Sequence, residues 1–427
     1  MTPRRPPRRP PGRAGGARRG ALAVVALALL GTALHGLAGS GTGLSGGALP
    51  PVRHVFVIVL ENEGYADTFE DPSADPYLAT TLPHEGALLT QYYAVGHESN
   101  DNYVAMVSGQ APNPQNQADC QLYSDFTPTG VVVPPGQVVG TGCVFPPSVP
   151  TIGGQLDAAG LTWKGYMQDM GNVPSREPSA CAHPAPGTRD DTQSAVPGDG
   201  YATRHDPFVY FDSVIANPAY CAAHVVALGP PPPGAGPGGS SDTSTDPAAA
   251  ASPGHLAPGL VQDLRSVRTT PNLSFIVPNL CLDGHDYPCT NEASPASSAL
   301  GDVDTFLRTW VPLIVDSPAF RHDGLLAVVF DEADGPPTGD AGACCGELPG
   351  PNSPLPGVTG PGGGRTGAVL VSPFIRPGTL SALAYNHYSL LASLEDLFGV
   401  ARLGEARTVT STFGADVFTQ VRTHRGP

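Results

Sequence analysis

Charge is scarce in this chain. Of its 427 residues only 14% are charged, too few for a coiled coil or for a chain held open by its own charge. Glycine does not recur at every third position, which excludes a collagen-like helix. No GxSxG elbow occurs, the match at Gly43 to Gly47 lying in the leader and after no strand-like run, and GxxxxGK[ST] is missing, so a conventional esterase or nucleotide hydrolase is disfavoured; HExxH is missing too. The eight cysteines include no CxxC pair of the zinc-binding kind. What is plentiful is glycine (53) and proline (49), which predict long irregular loops, on an apolar content of 40% that suffices for a sizeable core.

The net charge is −16, and its distribution says more than its size. Arg4, Arg5, Arg8, Arg9, Arg13, Arg18 and Arg19 crowd the first twenty residues. Without them 15 basic residues face 38 acidic ones, a net of −23. Such a body repels nucleic acid and anionic membranes, so neither is expected as a partner. After the arginines comes Ala21 to Leu34, a 14-residue apolar run that fits a signal peptide and is short for a membrane span. The Arg18-Arg19 pair is loosely of the twin-arginine type, and an uncleaved anchor is the alternative. Export to a secreted or cell-surface location suits the even set of cysteines, which reads as disulfides. Sequence order suggests Cys120 with Cys143, Cys181 with Cys221 and Cys281 with Cys289. The vicinal Cys344 and Cys345 bridge each other with strain or pair elsewhere.

Four continuous apolar runs, Val52 to Leu60, Leu273 to Val277, Leu325 to Phe330 and Ala368 to Val371, read as strands buried on both faces. Helical spacing lies between them at Tyr103 to Val107, Val303 to Ile314 and Tyr388 to Phe398. The alternation predicts an α/β sandwich. The expected organisation is a leader over residues 1–50, one catalytic domain over 51–415 and a tail over 416–427. Within the domain, 229–254 is a low-complexity insert, and the Gly- and Pro-rich loop 335–367 is placed to rim the site.

In open α/β sheets chemistry sits beyond the carboxyl ends of the strands. Glu61-Asn62 follows the first run and Asp331-Glu332 the third, a set of hard oxygen donors suited to a divalent cation. Either pair alone also fits a cap or a solvated turn. Ser99 precedes an apolar helix, where backbone N–H groups favour an incoming phosphate; the plain alternative is an N-cap. His205, His285 and His387 are loop or strand-end imidazoles that suit metal, phosphate or proton transfer, though each is as compatible with a structural place.

Together these segments resemble a known family, the phosphoesterases that include acid phosphatases and bacterial phospholipases C, of the alkaline-phosphatase-like superfamily. The similarity runs over about residues 52–403 through HVFVIVLENEGYADTF, GHESNDNYVAMVSG, WKGYMQDM, YATRHDPFVYF, VPNLCLDGHD, VVFDEADG, LVSPFIRPGT and YNHYSLLASLEDLFGV. The resemblance implies a three-layer α/β/α sandwich with loop insertions and a phosphate-ester substrate. It implies a metal held by Glu61, Asn62, Asp331 and Glu332, of unspecified identity. Ser99 takes the place of the nucleophilic hydroxyl, and Asn102 would hold phosphoryl oxygens. His285 would contact phosphate or protonate the leaving group. His205, His387 and Asp283 fall in or near the pocket, Asp283 as an orienting group for His285. The first block departs from the phospholipase pattern Glu-Asn-Arg-Ser-Phe-Asp-His, reading Glu61-Asn62-Glu63-Gly64-Tyr65-Ala66-Asp67. With serine at position 99, that favours a phosphomonoesterase acting through a phosphoserine. A phospholipase C-type phosphodiesterase and a non-catalytic exported binding protein are the competing expectations.

Overall fold

Val55, Val57 and Val59 bury themselves in one apolar cluster, and Phe56, Ile58 and Leu60 in another. Side chains alternate across a strand, so one carrying apolar residues on both sides needs a packed layer on each. This strand, β1 (His54–Leu60), runs through the middle of the computed structural model, which describes residues 49–236, 259–289, 296–334, 339–345, 347 and 349–420.

Seven more strands complete its sheet: β2 (Ala87–Tyr93), β3 (Trp163–Met167), β4 (Val225–Ala227), β5 (Leu273–Val277), β6 (Gly324–Phe330), β7 (Ala368–Val371) and β8 (Thr379–Asn386). Their order is β8–β2–β7–β6–β1–β5–β3–β4. β1 lies parallel to β5 and β6, and β3 parallel to β4 and β5. β7 runs antiparallel to β6 and β2, while β8 and β2 are parallel.

Helices α1 (Ser99–Ser108) and α3 (His387–Phe398) cover the valine face through Tyr103, Val104, Val107, Leu390, Leu391 and Leu394. Helix α2 (Ala299–Val315) covers the other through Val303, Phe306, Leu307, Trp310 and Ile314. The result is a mixed α/β/α sandwich. Each such aliphatic or aromatic side chain contributes roughly 1.5–3 kcal/mol by leaving water. Local chemistry sets the helix ends. Ser298 accepts from Gly301 N at the start of α2, and Asn386 accepts from Ser389 N at the start of α3. Gly399, with φ 70°, ends α3 in the left-handed conformation that glycine adopts without a Cβ penalty.

The four apolar runs all form strands, two of them with the expected bounds, and the three helical patterns form helices that extend one to four residues further at an end. Strands β2, β3, β4 and β8 were not anticipated. β2 mixes buried and half-buried positions, and β8 lies at the sheet edge with Leu380 and Leu383 exposed. The disulfides are Cys120–Cys143, Cys181–Cys221, Cys281–Cys289 and the vicinal Cys344–Cys345. The arginine-rich segment, the apolar run after it and most of the 229–254 insert lie outside the described residues. Among the described residues no helix is long and apolar enough to cross a membrane.

Candidate active site

Strand register sets the floor of the site. Leu60 and Phe330 are partners in the parallel β1–β6 pair, so the next residues, Glu61 and Asp331, emerge side by side. Asp331 N donates to Leu60 O at 2.8 Å, and Glu61 N donates to Asp283 O at 2.8 Å, drawing the loop after β5 to the same edge. Close approach there requires Gly284: its φ is 113°, and a Cβ would sit 2.6 Å from Glu61 O. Glu61, Asp283 and Asp331 are fully buried.

Burial raises the pKa of all three carboxylates at this strand edge. Glu61 is pushed up to about 7 by burial, although His285 attracts its charge. Asp331 is held well above the usual range by burial, then by Glu61 and Glu332. Asp283 is raised by burial and by Glu61. Asp331 Oδ1 accepts from Asn62 N at 3.3 Å and from Glu332 N at 2.6 Å, whereas Oδ2 is buried without a hydrogen-bond partner. An orphaned, buried carboxylate oxygen among repelling carboxylates fits a hard cation. Glu332 is fixed through Oε2, which faces His97 Nδ1 and accepts from Glu98 N at 3.2 Å. A second set overlaps the first: ligand atoms of Glu61, His205 and Asp283 lie within 4.8 Å of one another. The residues present therefore fit a hard divalent cation.

Ser99 opens α1, and its Oγ donates to Glu61 Oε2 at 2.8 Å. His205 Nε2 lies 3.2 Å from the same oxygen, and its Nδ1 lies 3.3 Å from Asp283 Oδ2. The His205 ring stacks on Tyr103, whose hydroxyl donates to Glu61 Oε1 at 2.7 Å. Burial, then Arg204 and His285, holds His205 well below its usual pKa, so it is neutral here. Above these groups opens a cavity of about 480 Å³ lined by Ser99, His285, Asn62, His97, Thr359, Val358 and the carboxylates of Glu63, Glu98, Asp119, Glu332 and Asp334. Among the described residues no lysine or arginine lines it, and burial plus neighbouring acids raise Glu98 to about 7 and Glu63 to about 8. A phosphate anion meets net repulsion in such a space unless a cation balances it.

Two expected substrate contacts sit elsewhere. Asn102 is fully buried and outside the cavity lining. Its Oδ1 accepts from Val95 N and Gly96 N, at 3.1 and 3.0 Å. Its Nδ2 donates to Gly96 O and Glu98 O, at 2.8 and 3.3 Å. With the amide's full capacity used, none remains for phosphate. His387 is likewise buried: Nε2 is 2.5 Å from Asp331 O and Nδ1 is 2.9 Å from Tyr92 OH. Burial lowers its pKa to about 4, so it holds the Asp331 backbone as a neutral ring. His285 does reach the cavity. Its Nδ1 is 2.7 Å from Asp286 Oδ1, and its Nε2 faces Arg204 Nη2 at 3.0 Å. A guanidinium only donates, so Nε2 accepts in that contact. Burial disfavours the charged His285 ring, but the Asp286 hydrogen bond outweighs it with help from Glu61 and Asp283.

His97, Glu98, Tyr103, Asp119 and Arg204 were not singled out from the sequence. His97 and Glu98 lie inside the Ser99 segment, but their partner Glu332 is more than two hundred residues away. Asp119 is recognisable only through its neighbour Cys120, whose disulfide anchors it beside α1.

The chain is similar in sequence to several phosphatases. A phosphatidylinositol-3-phosphatase of Mycobacterium tuberculosis is 24% identical over 364 residues, covering 85% of this chain and 83% of that protein. An acid phosphatase of Aspergillus fumigatus is 24% identical over 82% of this chain, and a phosphate-repressible acid phosphatase of Penicillium chrysogenum is 25% identical over 79%. The chain spans 55% and 57% of those two fungal proteins. Among solved structures, an alkaline phosphatase superfamily protein of Vibrio parahaemolyticus aligns with a TM-score of 0.44 at 14% identity, over 87% of this chain and 72% of that one. The class is a hydrolase acting on phosphoric esters. Residues 246–401 match the model of the Phosphoesterase family.

Proposed function

We propose that this protein is an exported, metal-dependent phosphomonoesterase that works through a phosphoserine on Ser99. The observation that carries the reading is the position of Ser99 Oγ, at a helix start on the cavity, 2.8 Å from Glu61 Oε2 and 3.2 Å from His205 Nε2. A divalent cation held by Glu61, Asn62, Asp331 and Glu332, with His205 and Asp283 adjoining, supplies the positive charge that lowers the serine pKa and draws in phosphate.

The chain's own groups then divide the work. Glu61 Oε2 takes up the hydroxyl proton as Oγ attacks phosphorus in line. The new Oγ–P bond forms as the bond to the leaving alcohol breaks. His285, once its Nε2 is released from Arg204 and has gained a proton from solvent, donates that proton to the departing oxygen. Water then hydrolyses the phosphoserine. Asn102 acts at one remove, by fixing the turn that presents His97, Glu98 and Ser99. His387 acts similarly, by fixing Asp331.

The relatives named acid phosphatases support a soluble monoester as substrate. The mycobacterial relative's name supports a phosphorylated inositol lipid. The diesterase alternative is separated from both by hydrolysis of phosphatidylcholine, and the non-catalytic one by a flat activity panel with cation bound. Export rests on the four disulfides and the N-terminal sequence. The test is quenched turnover of an aryl phosphate followed by peptide mass analysis. Wild type is expected to carry phosphate on Ser99, and Ser99→Ala to carry none and to turn over at least about a thousandfold more slowly. Retained hydrolysis by Ser99→Ala would falsify the nucleophile assignment.

A further inference from the structure

The helix start beside Ser99 already carries an anion that belongs to the protein. Asn100 N, the second amide of α1, donates to Asp119 Oδ1 at 3.1 Å. The other Asp119 oxygen lies 3.6 Å from Arg204 Nε. The Arg204 side chain is only 2% exposed, and its Nε is buried without a hydrogen-bond partner. An orphaned guanidinium N–H and a helix-terminal amide are both groups that recognise a phosphoryl oxygen. Asp119 faces both, and it lines the same cavity as Ser99.

Its placement is built rather than incidental. Asp119 and Cys120 have φ values of 50° and 47°, a conformation unfavourable for both residue types, and the Cys120–Cys143 disulfide ties the segment down. Gln193 Nε2 adds a hydrogen bond to Asp119 O at 3.3 Å. Four titratable groups bear on the carboxylate: Glu98 before α1, which shares a side-chain hydrogen bond with it, Asp101 within α1, Glu332 after β6, and Arg204 in the Thr203–His205 turn. Arg204 is the cation of this group and the other three are acids.

We propose that Asp119 is a specificity-determining residue, a fixed negative charge that makes the site prefer a phosphate monoester as its monoanion over its dianion. The inference rests on the phosphomonoesterase reading and sharpens its substrate class. A phosphate ester loses its second proton near a pKa of about 6. A fixed carboxylate beside the phosphoryl position repels the dianion about twice as strongly as the monoanion. Below that pKa the monoanion predominates and the penalty is smaller, so the working range moves toward acid.

Asp119→Asn removes the charge and keeps an oxygen to accept from Asn100 N. Asp119→Ser is a second neutral variant, and Asp119→Glu keeps the charge. The experiment measures inorganic phosphate as a competitive inhibitor of aryl-phosphate hydrolysis at about pH 5 and about pH 7.5. It also measures the phosphate-induced rise in melting temperature, which reports binding without turnover. The neutral variants are expected to tighten phosphate about tenfold at the higher pH and about threefold at the lower, the size of effect one neighbouring charge exerts. Asp119→Glu is expected to keep the wild-type ratio. Unchanged or weaker phosphate binding in folded neutral variants, by both readouts, overturns the inference while leaving the phosphomonoesterase reading intact. A wild type that neither hydrolyses the aryl phosphate nor responds to phosphate overturns both.

Discussion

The floor and the wall of the cavity are made in different ways. The floor consists of Glu61, Asp331 and Asp283, each at the end of a buried parallel strand or in the loop that follows it. Two of its positions are consequences of sheet register: once β1 and β6 pair, Glu61 and Asp331 meet whatever the loops do, and Asp283 joins them through the loop that Gly284 lets approach. The wall consists of His97, Glu98 and Asp119, carried on a turn and on a disulfide-anchored segment where Glu98 and Asp119 have positive φ. Its positions depend on side chains such as Asn102, which make four hydrogen bonds to hold a few residues of backbone. The floor brings charge together at a cost that the core can bear, and the wall adjusts how that charge is presented.

The comparison can be broken by substitution. On the floor, Asp331→Asn removes a buried charge from the cation set without changing shape. A loss of turnover on the order of a thousandfold, with weakened divalent-cation binding by calorimetry, is expected. Turnover within tenfold of wild type would mean that the floor carriage of charge matters less than its geometry suggests. On the wall, His97→Gln leaves Glu332 in place but loses the ring that steadies it. The expected result is a weakening of cation affinity by about 10–100-fold, with recovery of much of kcat at saturating cation. A kcat loss that saturating cation does not reverse would put His97 on the floor's side of the division.

A smaller effect sharpens the contrast from outside the cavity. Glu395, within α3, and Asp206 are fully buried acids whose pKa values burial raises to about 9 and about 8. A carboxyl group raised in the folded state binds more protons folded than unfolded between its unfolded pKa and its folded one. Stability therefore falls as pH rises across that window, from the ordinary carboxylate range to about 8–9, and is greatest on its acid side. Thermal melts are expected to show a midpoint a few degrees higher near pH 5 than near pH 8, in the order of effect that one or two kcal/mol produces. Glu395→Gln is expected to flatten its part of that slope; an unaltered slope would remove Glu395 from the account.

This division also explains what the sequence let one read. Val55 to Leu60 is apolar throughout because β1 is packed on both faces, and an acid directly after such a run stands out against it. The same is true of Asp331 after Leu325 to Phe330. Edge strand β8 has no such signature, since its exposed positions are Leu380, Ala382 and Leu383 while polar Thr379, Ser381 and Asn386 are buried. The wall was illegible for another reason. Asn102 and His387 have residue types that suit a phosphate site, and only the three-dimensional hydrogen-bond count shows both occupied with backbone or tyrosine. Asp119 has no apolar run before it, and its meeting with Arg204 depends on two loops far apart in sequence.

The pairing of Asn62 with Asp331 spans 269 positions of the chain. No partly formed sheet can offer the two carboxylates of Glu61 and Asp331 together, because β1 must first find β6 across most of the sequence. Contacts of such long range form late and slowly, after local helices and hairpins. The ability to bind a cation thus arises with completion of the sheet, and a chain stalled on the way presents isolated acids in place of an active centre.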